Sequence, residues 1–253
     1  MKYQLVTKIG TALDASEKTY NIEPLTKNAI LIAPIFIIIL QAVLLIYPRT
    51  RDFGLWLLEE NRPVELLTFV MLIAGGGIGL SLALKTRRQG EKGLVYGFYM
   101  LFSIGLVLIA MEEVAWGQWF LGFETPEAVA RLNRQGETTI HNLAGLHGHS
   151  EILRLTFGLG GLIGIWLSFS PSFRKIGAPV ILVLWFLIIT IHASVDVYND
   201  VVAIHKKFDY GMQRTAELIE LLIAISAYLY LHLNWRMLVG SGRDTHFLGS
   251  AHK

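Results

Sequence analysis

The residues with the clearest chemical potential lie where one long apolar run ends. Glu112 and Glu113 follow directly on the hydrophobic stretch that closes at Met111. A charged side chain at the middle of a bilayer costs about 2.5–3.5 kcal/mol, and less near the interface. Two adjacent carboxylates at the end of a membrane helix therefore need a compensating group, and we interpret Glu112 and Glu113 as catalytic candidates.

Further acidic and imidazole side chains occur at helical spacing elsewhere in the chain. They form three pairs that are four, four and three residues apart: Glu137 with His141, His192 with Asp196, and Glu217 with Glu220. Residues three or four apart share one face of a helix. Three helical segments could therefore each present two ligand atoms to one cavity.

Carboxylates together with imidazoles are typical ligands of zinc, iron or manganese, and helix bundles hold metals with Glu and His side chains from several helices. The pairs therefore predict a divalent transition metal as cofactor. The predicted metal ligands are Glu113, Glu137, His141, His192, Asp196 and Glu220, and the other predicted pocket residues are Glu65, Trp116, Gln118, Asn142 and Glu217. The spacing differs from the Glu-x-x-His pattern of ferritin-like di-iron sites, which weakens the case for that particular chemistry.

Several of these residues also have an explanation that involves no site. Glu65 and Glu217 stand in predicted first helical turns, where the positive end of the helix stabilises a carboxylate. Asp196 can mark a helix end at the membrane interface, and His192 can be a buried structural histidine. Glu112 and Glu113 are harder to explain in this way, because apolar and aromatic residues flank them on both sides.

The elements that must position these residues follow from the composition. The chain has 253 residues, of which 53% are hydrophobic and 17% are charged, whereas about a quarter are charged in an ordinary soluble domain. Its apolar runs reach the length of about 20 residues that a bilayer crossing requires. We predict an all-α polytopic membrane protein, a bundle of about six transmembrane helices, with spans near 28–47, 64–84, 93–113, 152–169, 176–198 and 215–233. Thr125 followed by Pro126 predicts a short helix, to about Asn133, in the loop after the third span.

The predicted organisation is a polar segment at 1–27, a six-span domain at 28–235 and a mobile tail at 236–253. Six spans place both termini on one side, and Lys and Arg are more frequent there, most densely in the loop 85–92. The excess predicts cytoplasmic termini. The first apolar run is long enough to be an uncleaved anchor, so we expect a multi-pass membrane protein. The acids and histidines then gather at the non-cytoplasmic face.

Two glycine clusters invite a phosphate-binding interpretation, which we reject. Residues 75–79 and 158–164 hold several glycines each and lie in the middle of predicted spans. A phosphate-binding loop needs a strand and a helix N-terminus beside water. Small residues four apart instead allow membrane helices to approach each other closely. We therefore predict helix packing at both clusters.

Three short motifs between residues 112 and 142 resemble those of a group of known proteins. Glu-Glu-Val-Ala-Trp-Gly-Gln at 112–118, Thr-Pro-Glu at 125–127 and Gln-Gly-Glu-Thr-Thr-Ile-His-Asn at 135–142 resemble a signature of bacterial multi-pass membrane proteins whose activity is unknown. The resemblance covers about 30 residues and implies a multi-pass protein of the bacterial inner membrane, but it implies no reaction. Ceramidase-like membrane hydrolases, which hold zinc with histidines and an aspartate inside a helix bundle, offer only an analogy, because this chain lacks a matching set of three histidines.

Two classes of function remain open, and a third has less support from the sequence. The first is a metal-dependent enzyme, a hydrolase or an oxygen-activating oxidase, that acts on a membrane lipid or another amphipathic substrate. A metal makes bound water nucleophilic near neutral pH, so that it can attack an ester or amide with Glu112 as proton shuttle.

The second class is a non-catalytic accessory subunit of a larger membrane complex, with the acids paired to arginines. The candidate arginines on the same side are Arg49, Arg62, Arg131, Arg134, Arg154 and Arg214. A proton-coupled carrier is the third class, although no inverted repeat supports it. Nucleic acid is not an expected partner, because the net charge is only +2 and no basic patch with interleaved aromatic residues occurs.

Overall fold

The computed structural model describes residues 2–59, 61–125, 150–202 and 206–240. Within those ranges the chain forms helices and no strand. The helices are α1 (Lys2–Tyr20), α2 (Pro24–Ile46), α3 (Arg51–Leu57), α4 (Pro63–Arg88), α5 (Gly93–Glu113), α6 (Gln118–Leu121), α7 (Ser150–Ser168), α8 (Val183–Val202) and α9 (Lys206–Gly240). Short 3₁₀ turns precede α6 and α8.

Six of these helices are long and apolar enough to cross a membrane, namely α2, α4, α5, α7, α8 with its preceding turn, and α9. The predicted all-α polytopic architecture is thereby confirmed. The helices extend beyond several predicted spans, because hydropathy detects the part that lies in the bilayer and not the polar turns beyond it. Helix α9, predicted over 215–233, begins at Lys206 and ends at Gly240.

Helix α9 is the centre of the bundle. It packs against the antiparallel pair α4–α5 on one side and against the pair α7–α8 on the other. Its side chains Leu222, Leu231 and Leu233 are completely buried. Because α9 contacts α4 as well as α7 and α8, its side chains can reach both helix pairs.

The glycine clusters lie at helix contacts, as their sequence pattern predicts. A Cβ atom at Gly75 of α4 would lie 3.4 Å from the Cα atom of Tyr228 on α9. A Cβ atom at Gly158 of α7 would lie 2.9 Å from the backbone nitrogen of Thr190 on α8. Gly158 therefore lets two backbones approach each other more closely than a side chain would allow, while at Gly75 a methyl group would make an ordinary contact with α9.

Helix α2 is held to the bundle through its own proline. Pro34 lies inside the helix and has no N–H group, so the carbonyl of Ile30 lacks its helical donor. The indole Nε1–H of Trp185 on α8 donates to that carbonyl at 2.8 Å. Trp185 thus replaces the missing hydrogen bond and joins two helices that are far apart in the sequence.

The polar N-terminal segment forms α1, which packs on the end of the bundle where α9 finishes. Arg236 of α9 donates from Nε to the carbonyl of Tyr20 at 2.8 Å. Tyr20 is buried, and this burial raises the pKa of its phenol to about 12, although the nearby Arg174 guanidinium lowers it. Both ends of the described chain therefore lie on one side, as six spans require.

At that end, side chains of the bundle cap the turn 175–177, and we call this region the turn end. Tyr99 donates its hydroxyl hydrogen to the carbonyl of Lys175. Tyr230 donates to the carbonyl of Ile176 at 2.7 Å, and Asn234 donates to that of Gly177 at 3.2 Å. Three consecutive carbonyls of an irregular segment are satisfied in this way.

Candidate functional site

The opposite end of the bundle collects most of the described candidate residues, and we call it the acidic end. The start of α4, the end of α5, the start of α7, the end of α8 and one part of α9 meet there, because α4–α5 and α7–α8 are antiparallel pairs. These segments contribute Glu65, Glu112, Glu113, Glu151, Arg154, His192, Asp196, Glu217 and Glu220. The structure therefore places these described residues at one end of the bundle.

Arg154 is the hub of this region. Its Nη1 donates to Oε1 of Glu220 at 2.8 Å and its Nη2 donates to Oδ2 of Asp196 at 2.8 Å. Arg154 and Asp196 are only 7% and 6% exposed, so water screens this interaction little. One guanidinium thereby connects α7, α8 and α9. Its Nε atom is buried and has no hydrogen-bond partner in the described part of the chain.

This arrangement changes the interpretation of two predicted metal ligands. Asp196 and Glu220 each commit an oxygen to Arg154, and a guanidinium beside a carboxylate disfavours a second cation at the same place. The ion pair is the kind of contact that the accessory-subunit hypothesis expected of these acids. Asp196 and Glu220 are therefore better described as partners of Arg154 than as primary ligands.

Glu113 has a different environment. Its carboxylate interacts electrostatically with those of Glu65, Glu112, Glu217 and Glu220. Among the described residues it makes no hydrogen bond or ion pair of its own. Like charges that share a site favour neutralisation by a bound cation or by a proton. Glu113 is therefore the best-placed candidate for cation binding or proton transfer.

His192 lies on the other side of Arg154, on α8. Its Nε2 is 2.8 Å from the hydroxyl oxygen of Thr215 on α9. Asp196 and Arg154 are the charged groups that interact with it electrostatically. The second ring nitrogen, Nδ1, is buried and has no hydrogen-bond partner within the described ranges. The site therefore has an acidic part at Glu113 and an imidazole part at His192, joined by Glu220, Arg154 and Asp196.

The backbone after α5 is strained. Ala115, Trp116 and Gly117 have φ angles of 45°, 55° and 88°, and a left-handed conformation costs a non-glycine residue of order 1–3 kcal/mol. The Trp116 indole donates to the Glu112 carboxylate, and Gln118 donates to the Thr125 hydroxyl at 3.1 Å. Such strain persists only where surrounding contacts hold it, and it is concentrated at functional sites.

Two groups of predicted residues need separate mention. Glu65 lies in the first turn of α4 and accepts a hydrogen bond from the backbone N–H of Asn61, two residues before the helix, which agrees with the structural alternative for this residue. Glu137, His141 and Asn142 lie outside the described residues, and their predicted roles stay predictions. In the described part of the chain, no three His, Asp or Glu side chains cluster in a way that could hold a metal ion.

Sequence reasoning singled out neither the hub nor the partner of His192. Arg154 was only one of six candidate arginines, although an arginine followed by a long apolar run is itself a signal of function or ion pairing. Thr215 carries no signal, because threonine is common in membrane helices. Glu151, which is buried one turn before Arg154, was also missed.

Comparison with known proteins gives no relative: no protein-family model, curated protein or solved structure matches this chain. The resemblance of the three motifs to a bacterial membrane signature stays a prediction. What is established is a helical protein with six helices able to span a membrane.

Proposed function

We propose that this protein is a metal-dependent membrane enzyme that acts at the acidic end on a lipid or another amphipathic substrate. The observation that carries the proposal is the environment of Glu113, whose described electrostatic neighbours are all carboxylates. A group of this kind at the edge of a bilayer needs a cation or a proton. A divalent metal supplies the charge and also a reaction, because it polarises an ester or amide and lowers the pKa of bound water.

The remaining residues have roles that follow from their contacts. Glu113 would hold the metal, and the predicted pair Glu137 and His141 would supply further ligands. Glu112, hydrogen-bonded to the Trp116 indole, would accept the proton of the attacking water and pass it to the leaving group. Arg154 fixes α7, α8 and α9 relative to each other through Asp196 and Glu220. In this scheme the acidic end faces outside the cytoplasm, which is the orientation that the Lys and Arg distribution predicts.

Metal analysis of a matched pair of variants tests the proposal. The protein is purified in detergent without chelator, and its zinc, iron and manganese contents are measured against protein concentration. We expect a stoichiometric transition metal in the wild type, strong loss in Glu113→Gln, and no loss in Glu91→Gln. Glu91 is the control because its carboxylate pairs with Lys175 at the turn end. A folded wild-type protein with no stoichiometric metal would contradict the proposal.

A second candidate function is supported by Arg154. A guanidinium that neutralises one buried and one partly buried carboxylate explains those acids without chemistry, as expected for an accessory subunit of a larger membrane complex. Purification in mild detergent separates the two candidates. A stable larger assembly without bound metal favours the accessory subunit, and a metal-loaded protein without other subunits favours the enzyme.

A further inference from the structure

A groove lies between α3 and the beginning of α4, at the same end of the bundle as the acidic residues. Its volume is about 540 Å³, within the range of about 300–1,000 Å³ that is typical of sites for small molecules. The lining is polar or aromatic where α4 begins and aliphatic further along that helix, and the residues in question are Trp56, Asn61, Arg62, Leu66, Leu67 and Val70. The groove therefore has the two-part character of an amphipathic ligand.

The aliphatic part of the groove follows a helix that is apolar and long enough to cross a membrane. Leu66 and Val70 are four residues apart and share one face of α4. Leu66, Leu67 and Val70 are 39%, 44% and 49% exposed, so a ligand can reach all three. From Pro63 to Val70 the helix rises about 10 Å. A hydrocarbon chain can therefore lie along the helix and cover these side chains.

Arg62 marks the polar part of the groove. Its Cζ atom lies 5.5 Å from the ring centroid of Trp56, and a tryptophan next to a cation is typical of the interface between membrane and water. Its Nε atom is 3.5 Å from Oε2 of Glu59, and both side chains are more than 40% exposed. That distance exceeds the length of a charge-assisted hydrogen bond, and exposed ion pairs are weak. Glu59 therefore does not prevent the guanidinium from binding an anionic group.

The short helix α3 is fixed to the bundle, so Trp56 has a defined position. Gln41 of α2 is buried and donates from Nε2 to the carbonyl of Gly54 at 3.0 Å. Leu58, directly after α3, is buried in a cluster with Leu218 and Leu221 of α9. A groove whose walls are already ordered loses little conformational entropy when a ligand binds.

The polar residues select the phosphate group of a lipid. An arginine guanidinium binds phosphate oxygens through two parallel hydrogen bonds, and the side-chain amide of Asn61 is a further donor. We propose that the groove binds one membrane phospholipid, with its phosphate at Arg62 and one acyl chain along Leu66 and Val70. This site goes beyond the proposed function, because it needs no metal and does not include Glu113.

Native mass spectrometry of the full-length protein tests the polar part of the site. The protein is freed of lipid in detergent and titrated with phosphatidylglycerol, with diacylglycerol of the same acyl chains, or with phosphatidylglycerol in the presence of inorganic phosphate. We expect one saturable phosphatidylglycerol, about tenfold weaker binding of diacylglycerol, and no displacement of the lipid by inorganic phosphate. Arg62→Gln should weaken phosphatidylglycerol binding about tenfold. Arg51→Gln is the matched control, because Arg51 is an exposed arginine at the start of α3 that does not line the groove.

A second pair of variants tests the aliphatic part. Leu66→Trp fills the groove and should weaken phosphatidylglycerol binding about tenfold, since the acyl chain loses its place on α4. Leu84→Trp is the matched control, because Leu84 is 46% exposed and lies near the other end of the same helix. Circular dichroism of each variant verifies that the helical fold is retained.

Three results would overturn the proposal. Equal affinities for phosphatidylglycerol and diacylglycerol would show that the phosphate is not recognised. Equal losses in Arg62→Gln and Arg51→Gln, or in Leu66→Trp and Leu84→Trp, would show that lipid binds the surface without using the groove. A wild-type protein that binds no lipid would show that the groove is closed, either by residues 126–149 or by another protein. The metal content of the wild type is measured separately, so the proposed function can fail while the lipid site stands, and the reverse.

Discussion

The two ends of the bundle satisfy their polar side chains in different ways. At the turn end, Tyr99, Tyr230 and Asn234 all donate to backbone carbonyls of the segment 175–177. At the acidic end, the side chains bind one another: Arg154 joins Asp196 to Glu220, and His192 contacts Thr215. The turn end uses polar side chains to complete the backbone, while the acidic end gathers charges that the backbone does not need.

This difference between the two ends indicates that the acidic end is the better place to look for a functional site. A polar side chain that donates to a buried carbonyl has a structural role, because a buried carbonyl without a donor is costly. A buried network of charges is seldom the most stable solution, since apolar residues of similar volume often do as well or better. Both ends keep buried atoms without a hydrogen-bond partner in the described part of the chain, namely Asn234 Oδ1 at the turn end and Arg154 Nε and His192 Nδ1 at the acidic end, but only at the acidic end do they belong to charged or titratable side chains. Stability alone does not account for this charged network.

The largest effect should come from removing the hub. Arg154→Met leaves Asp196 and Glu220 without their guanidinium, and breaking a buried ion pair from one side costs about 3–5 kcal/mol. The measurement is the free energy of unfolding in detergent. The matched change at the other end is Lys175→Met, which breaks the exposed pair with Glu91 and should cost less than about 1 kcal/mol. Equal losses of unfolding free energy in the two variants would show that the ion pairs at the two ends contribute equally to stability, which contradicts the proposed difference.

An intermediate loss of stability should come from removing the Trp185 indole, which donates a hydrogen bond to α2. Trp185→Phe removes the donor from the Ile30 carbonyl, and we expect a loss of about 2 kcal/mol. The same change in a Pro34→Ala background should cost about 1 kcal/mol less, because residue 34 then supplies the helical N–H. Unfolding of the four proteins forms a double-mutant cycle. Additive losses would show that the indole acts by packing and not by donating to Ile30.

The smallest effect should come from a single cap at the turn end. Tyr230→Phe removes the hydroxyl from the Ile176 carbonyl, which should cost about 1 kcal/mol, and it should leave the metal content unchanged. Tyr198→Phe is the control, since Tyr198 is 59% exposed and should tolerate the change. A loss of metal in Tyr230→Phe would mean that the two ends do not act separately.

Much of the fold could be predicted because the thickness of the bilayer sets the minimum length of each spanning helix. Six apolar runs gave six helices, and the spacing of Gly75 and Gly158 indicated helix contacts that the structure contains. The topology also followed, since antiparallel neighbours bring alternate helix ends together. The polar segment before the first span was less clear, because α1 packs through a few side chains, such as Tyr20, and not through a continuous apolar run.

The site could be predicted only as a set of residues at one end. Which arginine pairs with which acid depends on the rotation of each helix about its axis, and hydropathy does not contain that information. The left-handed Ala115 and Trp116 have no sequence signal either, because residues with a Cβ atom rarely adopt such angles. The contact of Thr215 with His192 could not be predicted for the same reason, since the two residues lie on different helices.

The dependence of α2 on Trp185 bears on how the chain enters the membrane. Only 11% of the α2 span is buried by the rest of the protein, so this helix faces lipid over most of its surface. Until α8 arrives, the Ile30 carbonyl has no donor in an environment that offers no water. Among the described spans, α2 is therefore completed by α8, which is synthesised later, and a chain interrupted before residue 185 would leave α2 with a carbonyl that lacks a donor.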